Sequence, residues 1–421
     1  MTFNLISLGC PKNLVESEYI CQKLCAAGHA QGDDGDTVII NTCAFIAEAA
    51  RESIETILEA AKDGGKKIIV TGCLVERYRD DLVSLLPEVH SFIGRTYYAD
   101  IAEIIDLAGF YHREGTFSET FPRRVLTVHP SAYLKIQEGC NNRCNYCTIP
   151  SIRGNLTSRP VHDVLSEFRW LLDRGYREIN VIGQDITAYG MDAGRKEALT
   201  GLIRSLTDEA GDFYLRLLYM HPRGITRELI DIIQGDPRII PYLDVPIQHS
   251  EDRILSLMGR GHTKAYLEET LAMIRDRMPE AVLRTSIIVG FPSETDAEFD
   301  DLLSFLSRHQ FDMLGAFRYA REKGTPAYKL KGQITGKVKK NRYIRLMEAQ
   351  KEISRTRLAR LESRTVKIIV ENDKEDPKIG RMLVQAPDID GIAFIKGKCR
   401  SGDICDAKVL KTLDYDVVVE V

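Results

Sequence analysis

Glu138-Gly139-Cys140-Asn141-Asn142-Arg143-Cys144-Asn145-Tyr146-Cys147 is the stretch from which the rest of the chain can be read. Three thiols fall within eight residues. The Cys-x3-Cys-x2-Cys spacing can bring three thiolates onto one face of a cuboidal iron-sulfur cluster and leave the fourth iron without a protein ligand. An open iron can bind something that reacts. A zinc site would need a fourth Cys or His close by, and the nearest downstream candidate, His162, lies beyond Pro150 and Pro160. A disulfide is the third reading; in a long chain without a secretory signal, clustered cysteines are more often metal ligands than bridges.

The chain around this loop is ordinary in composition. Its 421 residues predict two or three domains, and 44% hydrophobic content is ample for packed cores. Nothing approaches the unbroken apolar run of about 18 residues that a membrane span requires. Met1-Thr2-Phe3-Asn4-Leu5 lacks a basic segment before an apolar one. These features predict a cytoplasmic protein with no membrane partner. A net charge of -4 argues against a nonspecific polyanion binder, although a local basic face stays open.

Upstream, short apolar runs alternate with amphipathic stretches, the pattern of an open parallel α/β sheet covered by helices. Strands are expected at Asn4 to Leu8, Thr37 to Ile40, Lys67 to Val70 and Ser91 to Ile93, with helices at Leu14 to Ala27, Phe45 to Lys62, Arg77 to Leu86 and Ala99 to Leu107. Cys10, Cys43 and Cys73 each follow one of the first three strands, spaced by 33 and 30 residues. That edge of an open α/β sheet is where ligands bind, and a lone cysteine there would be core filler. Three equivalent junctions converge on one crevice, with helix N-termini to stabilise thiolate charge. They imply a second three-thiolate cluster. Cys21 and Cys25, four apart within a helical pattern, read as core.

Downstream of a linker at about Arg113 to Arg124, which carries Gly115, Pro122 and a basic pair, alternation resumes. Strands are expected at Tyr133 to Gln137, Glu178 to Ile182, Tyr214 to Met220, Tyr242 to Ile247, Val282 to Val289 and Leu314 to Tyr319. Helical patterns at Val161 to Arg174, Thr226 to Ile233, Lys264 to Arg277 and Ala297 to His309 separate them. About six βα units are too few for a closed eight-fold barrel, so an incomplete, laterally open (β/α)6-type barrel is expected. Gly183-Gln184-Asp185, His221-Pro222-Arg223, Gln248-His249 and Gly290-Phe291-Pro292-Ser293-Glu294 fall at its strand ends. Gln184, Asp185 and Gln248 are candidate cofactor or substrate contacts. His249 reads either as a proton relay or as a hydrogen-bonded structural histidine. No side chain is singled out as an acid, base or nucleophile.

Lys337 to Leu361 reads as a basic helix, and most such runs are solvated faces. Val366 to Val370, Ile392 to Lys396, Asp406 to Leu410 and Asp416 to Glu420 then predict a small β-barrel, in which Cys399 and Cys405 have no evident ligand partners. From Ser363 to Val421 there are 10 Lys and Arg against 11 Asp and Glu. Small barrels that grip RNA usually carry a basic surface, which this one lacks.

The Cys-x3-Cys-x2-Cys loop, with an aromatic before its last Cys, resembles the signature of the radical S-adenosylmethionine (SAM) enzymes. The whole arrangement resembles the methylthiotransferases of that superfamily, whose last module is called TRAM. Leu8-Gly9-Cys10-Pro11-Lys12-Asn13-Leu14-Val15-Glu16-Ser17-Glu18, Val181-Ile182-Gly183-Gln184-Asp185 and Ala386-Pro387-Asp388-Ile389-Asp390-Gly391 look like the RimO branch. The tRNA-modifying MiaB branch typically has Gly-Cys-Gln-Met-Asn at the first place. Tyr319-Ala320-Arg321-Glu322-Lys323-Gly324-Thr325 departs mildly from the expected Tyr-Ser-x-Glu-Glu-Gly-Thr, without touching any proposed ligand.

The resemblance implies units over residues 1–112, 126–356 and 360–421. It implies two 4Fe-4S clusters, one on Cys10, Cys43 and Cys73 and one on Cys140, Cys144 and Cys147. Tyr146 lies against the adenine edge of SAM. The implied reaction is methylthiolation of the β-carbon of an aspartate in small-subunit ribosomal protein S-twelve, free or in the assembled small subunit. A deoxyadenosyl radical abstracts the hydrogen and the second cluster delivers the sulfur. Electrons come from a donor such as flavodoxin or ferredoxin, and tRNA is the disfavoured substrate. An iron-sulfur sensor or RNA-binding module that consumes no SAM is the alternative of a different class.

Overall fold

The structure, a computed structural model, describes residues 1–62, 64–117 and 121–421. Near the start, β1 (Thr2–Ser7), β2 (Ala30–Gln31), β3 (Thr37–Thr42), β4 (Lys67–Gly72), β5 (Ser91–Ile93) and β6 (Gly109–Tyr111) form one all-parallel sheet in the order β2-β1-β3-β4-β5-β6. Successive side chains of a strand point to opposite faces, so Val38, Ile40, Ile68 and Val70 pack with Ala50 and Ile57 of α2 (Ala47–Lys62). Ile39 and Ile69 pack the other way, with Tyr19, Ile20 and Leu24 of α1 (Pro11–Ala26). Both faces of the central strands are covered, which is why they read as unbroken Val and Ile runs. Cys21 lies in the second of these cores, as its helical position implies.

Two helical expectations need correction. The single helix over Arg77 to Leu86 is two, α3 (Cys73–Tyr78) and Asp81–Leu85, because Arg79 turns the chain at φ +49°. The helix over Ala99 to Leu107 opens as a 3-10 turn at Arg95–Asp100 and keeps only Ile101–Ile104 as α-helix. The linker at Arg113 to Arg124 is also more than a tether, although its residues 118–120 lie outside the described ones. Arg123 is fully buried and bonds Glu18 of α1, Glu167 at 2.7 Å and the carbonyl of Tyr133. Removing one partner from such a buried pair typically costs about 3–5 kcal/mol, so this arginine fixes one sheet against the next.

The central strands are β7 (Ser131–Lys135), a short pair β8 (Gln137–Glu138) and β9 (Thr157–Ser158), then β10 (Glu178–Ile182), β11 (Tyr214–Leu217), β12 (Ile239–Asp244), β13 (Val282–Val289) and β14 (Met313–Arg318). Six of them make a parallel sheet in the order β14-β13-β12-β11-β10-β7. The sheet does not close, so it is the laterally open barrel that six βα units predict. Outward residues such as Leu134, Val181, Leu217 and Leu243 form the main core under the helices. Inward residues include the buried Lys135, Glu178, Asn180, Arg216 and Asp244. Helices at Ala198–Thr207 and Asp252–Leu257 add to those expected from the sequence.

Gly336–Ala359 is the predicted basic helix, and its charges are largely paired: Arg342 with Asp296 and Arg345 with Asp300, each at 2.7 Å. A closed barrel follows, built from β15 (Thr365–Asn372), β16 (Lys378–Met382), β17 (Ala393–Lys396), β18 (Ile404–Thr412) and β19 (Val417–Glu420). The sequence reading lacks β16, whose Lys-Ile-Gly-Arg-Met run has no period-two alternation. Cys399 packs in this barrel's core, with Cys405 against it.

The end of β16 and the segment after it reach the concave side of the open sheet. Arg381 pairs with Glu178, Arg216 donates to the carbonyl of Leu383, and the Tyr242 hydroxyl donates to Asp390 at 2.8 Å. The small barrel's buried charges thus dock it onto the larger one. Among the described residues, no helix is long and apolar enough to cross a membrane.

Candidate functional site

Cys10, Cys43 and Cys73 stand at the carboxyl ends of β1, β3 and β4. Cys10 caps α1, with Pro11 pre-set for its first turn, and Gly9 and Gly72 precede two of the three cysteines. Both glycines are sterically required. A Cβ on Gly9 (φ +87°) would lie 2.6 Å from the Cβ of Cys43, and one on Gly72 (φ +90°) would lie 2.3 Å from Asn41 Oδ1. Asn13 then ties the junctions together, its amide donating to the carbonyls of Leu8 at 3.0 Å and Thr42 at 2.8 Å.

The junctions meet around Asn13, to whose Oδ1 the Cys73 thiol donates at 3.6 Å, while a Cβ on Gly9, beside Cys10, would lie 2.8 Å from Cys43 Sγ. Burial pushes Cys43 up to about 12, and the neighbouring Cys73 raises it further. Cys73 is raised by burial against the pull of Arg153. Cys10 goes the other way: burial opposes its ionisation, but Lys12, Arg153 and two backbone N–H groups outweigh it and hold the thiol below its usual range. Three thiols that resist joint ionisation need a cationic centre to become three thiolates.

The second triad lies in the loop after β8. Gly139, at φ +73°, has no room for a side chain, since a Cβ would sit 2.1 Å from the carbonyl of Asn155. The loop is pinned from outside: Asn145 N–H donates to Met258 O at 2.8 Å, its side chain to Leu257 O at 2.9 Å, and Ala327 N–H donates back to Asn145 O at 2.8 Å. Backbone N–H groups of Asn142 and Ile149 approach the sulfurs of Cys140 and Cys147 at 3.4 Å, and Arg260 Nη1 approaches that of Cys144 at 3.5 Å. Burial raises Cys140 to about 11 and Cys147 to about 12, and Cys144 adds to both shifts. Tyr146 packs beside Ile254, Met258, Phe291 and Tyr319.

Between the triads lies a buried ion cluster. Glu16 of α1 and Glu138 of β8 face Arg95, Lys135 and Arg153. Arg95 Nη2 is 2.7 Å from Glu16 and 2.8 Å from Glu138. Lys135 reaches them at 3.2 and 2.8 Å, and Arg153 Nη1 at 2.9 and 3.0 Å. Burial opposes the charge on Glu16, but Arg153, Arg95 and Lys135 hold it at about 2. The other guanidinium nitrogen of Arg153 donates to Cys73 Sγ at 3.4 Å. One arginine therefore touches a thiol of the first triad and a carboxylate two residues from a thiol of the second.

The other candidates divide. Gln184 donates to Glu138 and so joins the ion cluster. Asp185 accepts from the Asn142 side chain at 2.7 Å with one oxygen and from Thr187 and His221 N–H groups with the other, which makes it a brace for the cysteine loop. Gln248 sits at φ +70° at a bridge to β13, half-buried. His249 is buried, accepts from Glu251 N–H at 3.0 Å through Nδ1, leaves Nε2 without a partner among the described residues, and is pushed by burial down to about 3. His162 is exposed beside Asp163, away from the thiols it would have to complete as a zinc site. All ten cysteines are free thiols. Among the described residues no His, Cys, Asp or Glu group is drawn in to hold a single metal ion. Two sets of three thiols with cations behind them fit three-thiolate cluster sites, whose ligands spread over several irons.

Sequence reasoning missed Arg95, Lys135, Arg153, Arg260 and Glu322. Glu322 joins the end of the open barrel to the first sheet by accepting from Ala47 N–H at 2.7 Å and from Arg77. It lies in the one segment that departs from the expected pattern, where it keeps the expected acidic residue.

Comparison with known proteins adds three family matches: an uncharacterized protein family, UPF0004, over residues 2–94, the radical SAM superfamily over 134–306, and the TRAM domain over 364–421. The chain is similar to the ribosomal protein uS12 methylthiotransferase RimO of Geobacter sulfurreducens, 44% identical over 99% of this chain and 98% of that one. The same-named proteins of Bdellovibrio bacteriovorus, 39% identical over 99% and 97%, and Thermotoga maritima, 40% identical over 97% of each, are similar too. Among solved structures, the radical SAM methyltransferase TsrM from Kitasatospora setae superposes with a TM-score of 0.57 at 15% identity, over 77% of this chain and 76% of that one. That likeness carries the fold.

Proposed function

The chain belongs to the family of ribosomal protein uS12 methylthiotransferases, RimO, and from that premise we propose that it replaces a β-hydrogen of one aspartate of uS12 with a methylthio group by radical SAM chemistry. Cys140, Cys144 and Cys147 hold one 4Fe-4S cluster and Cys10, Cys43 and Cys73 a second. Residues 1–112, 126–356 and 360–421 are the units that carry them and the TRAM barrel. Tyr146 and Gln248 contact SAM, with Gln184 and Asp185 holding the loop they line. The enzyme works in the cytoplasm, on uS12 free or in the small subunit, with electrons from a flavodoxin- or ferredoxin-like donor.

The observation that supports this most is Arg153, bonded at once to Cys73 and to Glu138 beside the second cysteine loop. Two sites that act in succession on one carbon must be held at fixed separation, and this buried bridge does that. An aspartate β-hydrogen is too weakly acidic for any side-chain base, so the bound clusters and SAM supply the radical and the sulfur. The chain's own residues do the rest. Arg260 and the N–H groups of Asn142 and Ile149 stabilise the thiolates of the barrel loop, and Lys12 and Arg153 do so at the other triad. The TRAM segment at Arg381 to Asp390 docks on the inward residues Glu178 and Tyr242 of the sheet, and uS12 enters at the carboxyl ends of the strands.

The test is anaerobic incubation of the reduced, cluster-loaded protein with SAM and either purified uS12 or tRNA. The expected result is a gain of about 46 Da on one aspartate of uS12, the mass of a methylthio group replacing hydrogen, with no product on tRNA. Product on tRNA alone, or clusters that bind without consumption of SAM, would overturn the reading.

A further inference from the structure

Lys12 is the second residue of α1 and only 7% exposed, yet its ammonium makes no ion pair among the described residues. An aromatic face lies against it: Nζ is 3.4 Å from the centroid of the Tyr219 ring. The carboxylates nearby belong to other cations. Glu138 is held by Arg95, Lys135 and Arg153, and Asp244 by Arg284 at 3.1 Å and by Tyr219 N–H at 3.0 Å. Tyr219 itself is in the left-handed region at φ +63°, a conformation costly for a bulky residue and maintained here by its bond to Asp244. The platform under the ammonium is thus built.

Apart from the thiolate of Cys10 that it helps to stabilise, this mostly buried ammonium has no anion beside it among the described residues, and an arriving carboxylate lowers the cost of its burial. The surroundings favour an anion. The first turn of the 16-residue α1 carries no acidic side chain, and its N-terminus adds positive potential at the same point. Cation-π contact with Tyr219 orients the ammonium without neutralising it.

We infer that Lys12, on the Tyr219 platform at the N-terminus of α1, is the subsite for the side-chain carboxylate of the aspartate that is modified. This rests on the proposed function and adds how the target is chosen. The carboxylate carbon is bonded directly to the β-carbon, so anchoring it two residues from Cys10 presents that carbon to the triad that delivers sulfur. An asparagine at the same place would offer no charge to Lys12. SAM also carries a carboxylate, and the test separates the two sources.

The experiment measures equilibrium binding to the anaerobically loaded protein, with SAM present and no reductant so that nothing turns over. Native uS12 is compared with uS12 in which the target aspartate is changed to asparagine. The parental protein is expected to prefer native uS12 by about tenfold to a hundredfold, the worth of one charged hydrogen bond. Lys12→Met should abolish that preference and Lys12→Arg should keep most of it, with melting temperature reporting that the fold is intact and affinities compared between preparations of equal iron content. A preference that survives in Lys12→Met, or no preference in the parent, would overturn the inference. So would a Lys12→Met protein whose SAM affinity, measured without uS12, falls as far as its affinity for native uS12. If the parent binds uS12 but never methylthiolates it under reducing conditions, the proposed function fails instead.

Discussion

The guanidinium of Arg153 lies 3.4 Å from the sulfur of Cys73, and the same side chain reaches Glu138, two residues before Cys140. Its removal leaves Glu16 and Glu138 with fewer buried counter-ions and Cys73 with none at hydrogen-bond distance. Arg153→Met should therefore lower stability by about 3–5 kcal/mol in urea unfolding. In a protein whose barrel loop has lost all three cysteines, it should also cut the iron retained by the first triad by more than half. Arg153→Lys keeps the charge but not the fork, and should fall between.

Glu322 joins the last strand of the open barrel to the first sheet through Ala47 and Arg77. Glu322→Ala strands a mostly buried arginine and should cost about 3 kcal/mol, read from the urea midpoint. Glu322→Gln preserves the shape and one acceptor, and should recover part of that loss. Equal midpoints for all three proteins would show that the contact does not hold the two sheets together.

His249 gives a pH dependence. The buried ring stays neutral down to about pH 3, whereas the unfolded ring takes up a proton near pH 6.5. Between those values the unfolded state binds the extra proton, so stability is full above pH 6.5 and falls as pH drops, by about 1.4 kcal/mol per unit from this group. His249→Asn, which retains an acceptor for Glu251 N–H, should flatten the loss between pH 5.5 and 4.5 by about that amount. An unchanged profile would place the neutral ring elsewhere.

What could be read in the sequence follows from the range of each signal. Cys140, Cys144 and Cys147 are a local motif, and Cys10, Cys43 and Cys73 are marked by the short apolar runs that each of them follows. The sheets and the small barrel followed from such runs and from the turns and helical patterns between them. The junction was not legible, because its members have no pattern along the chain: Glu16 and Arg153 are 137 positions apart. A charged residue inside a strand, such as Lys135, looks like an edge or a solvated face until its partners are known. The break at Arg79 escaped for a different reason, since it rests on one left-handed residue that is not glycine. Lys12 stood in the quoted motif throughout, but only the structure shows its ammonium on the Tyr219 ring with no carboxylate paired to it among the described residues.

The most direct measurement of the two-site account takes the parental protein, Cys43→Ala and Cys144→Ala through one anaerobic reaction with SAM and uS12. Released 5'-deoxyadenosine and methylthiolated aspartate are quantified together. The account predicts both products from the parent, neither from Cys144→Ala, and deoxyadenosine without methylthiolated uS12 from Cys43→Ala. Methylthiolated uS12 from Cys43→Ala at the parental rate would contradict it.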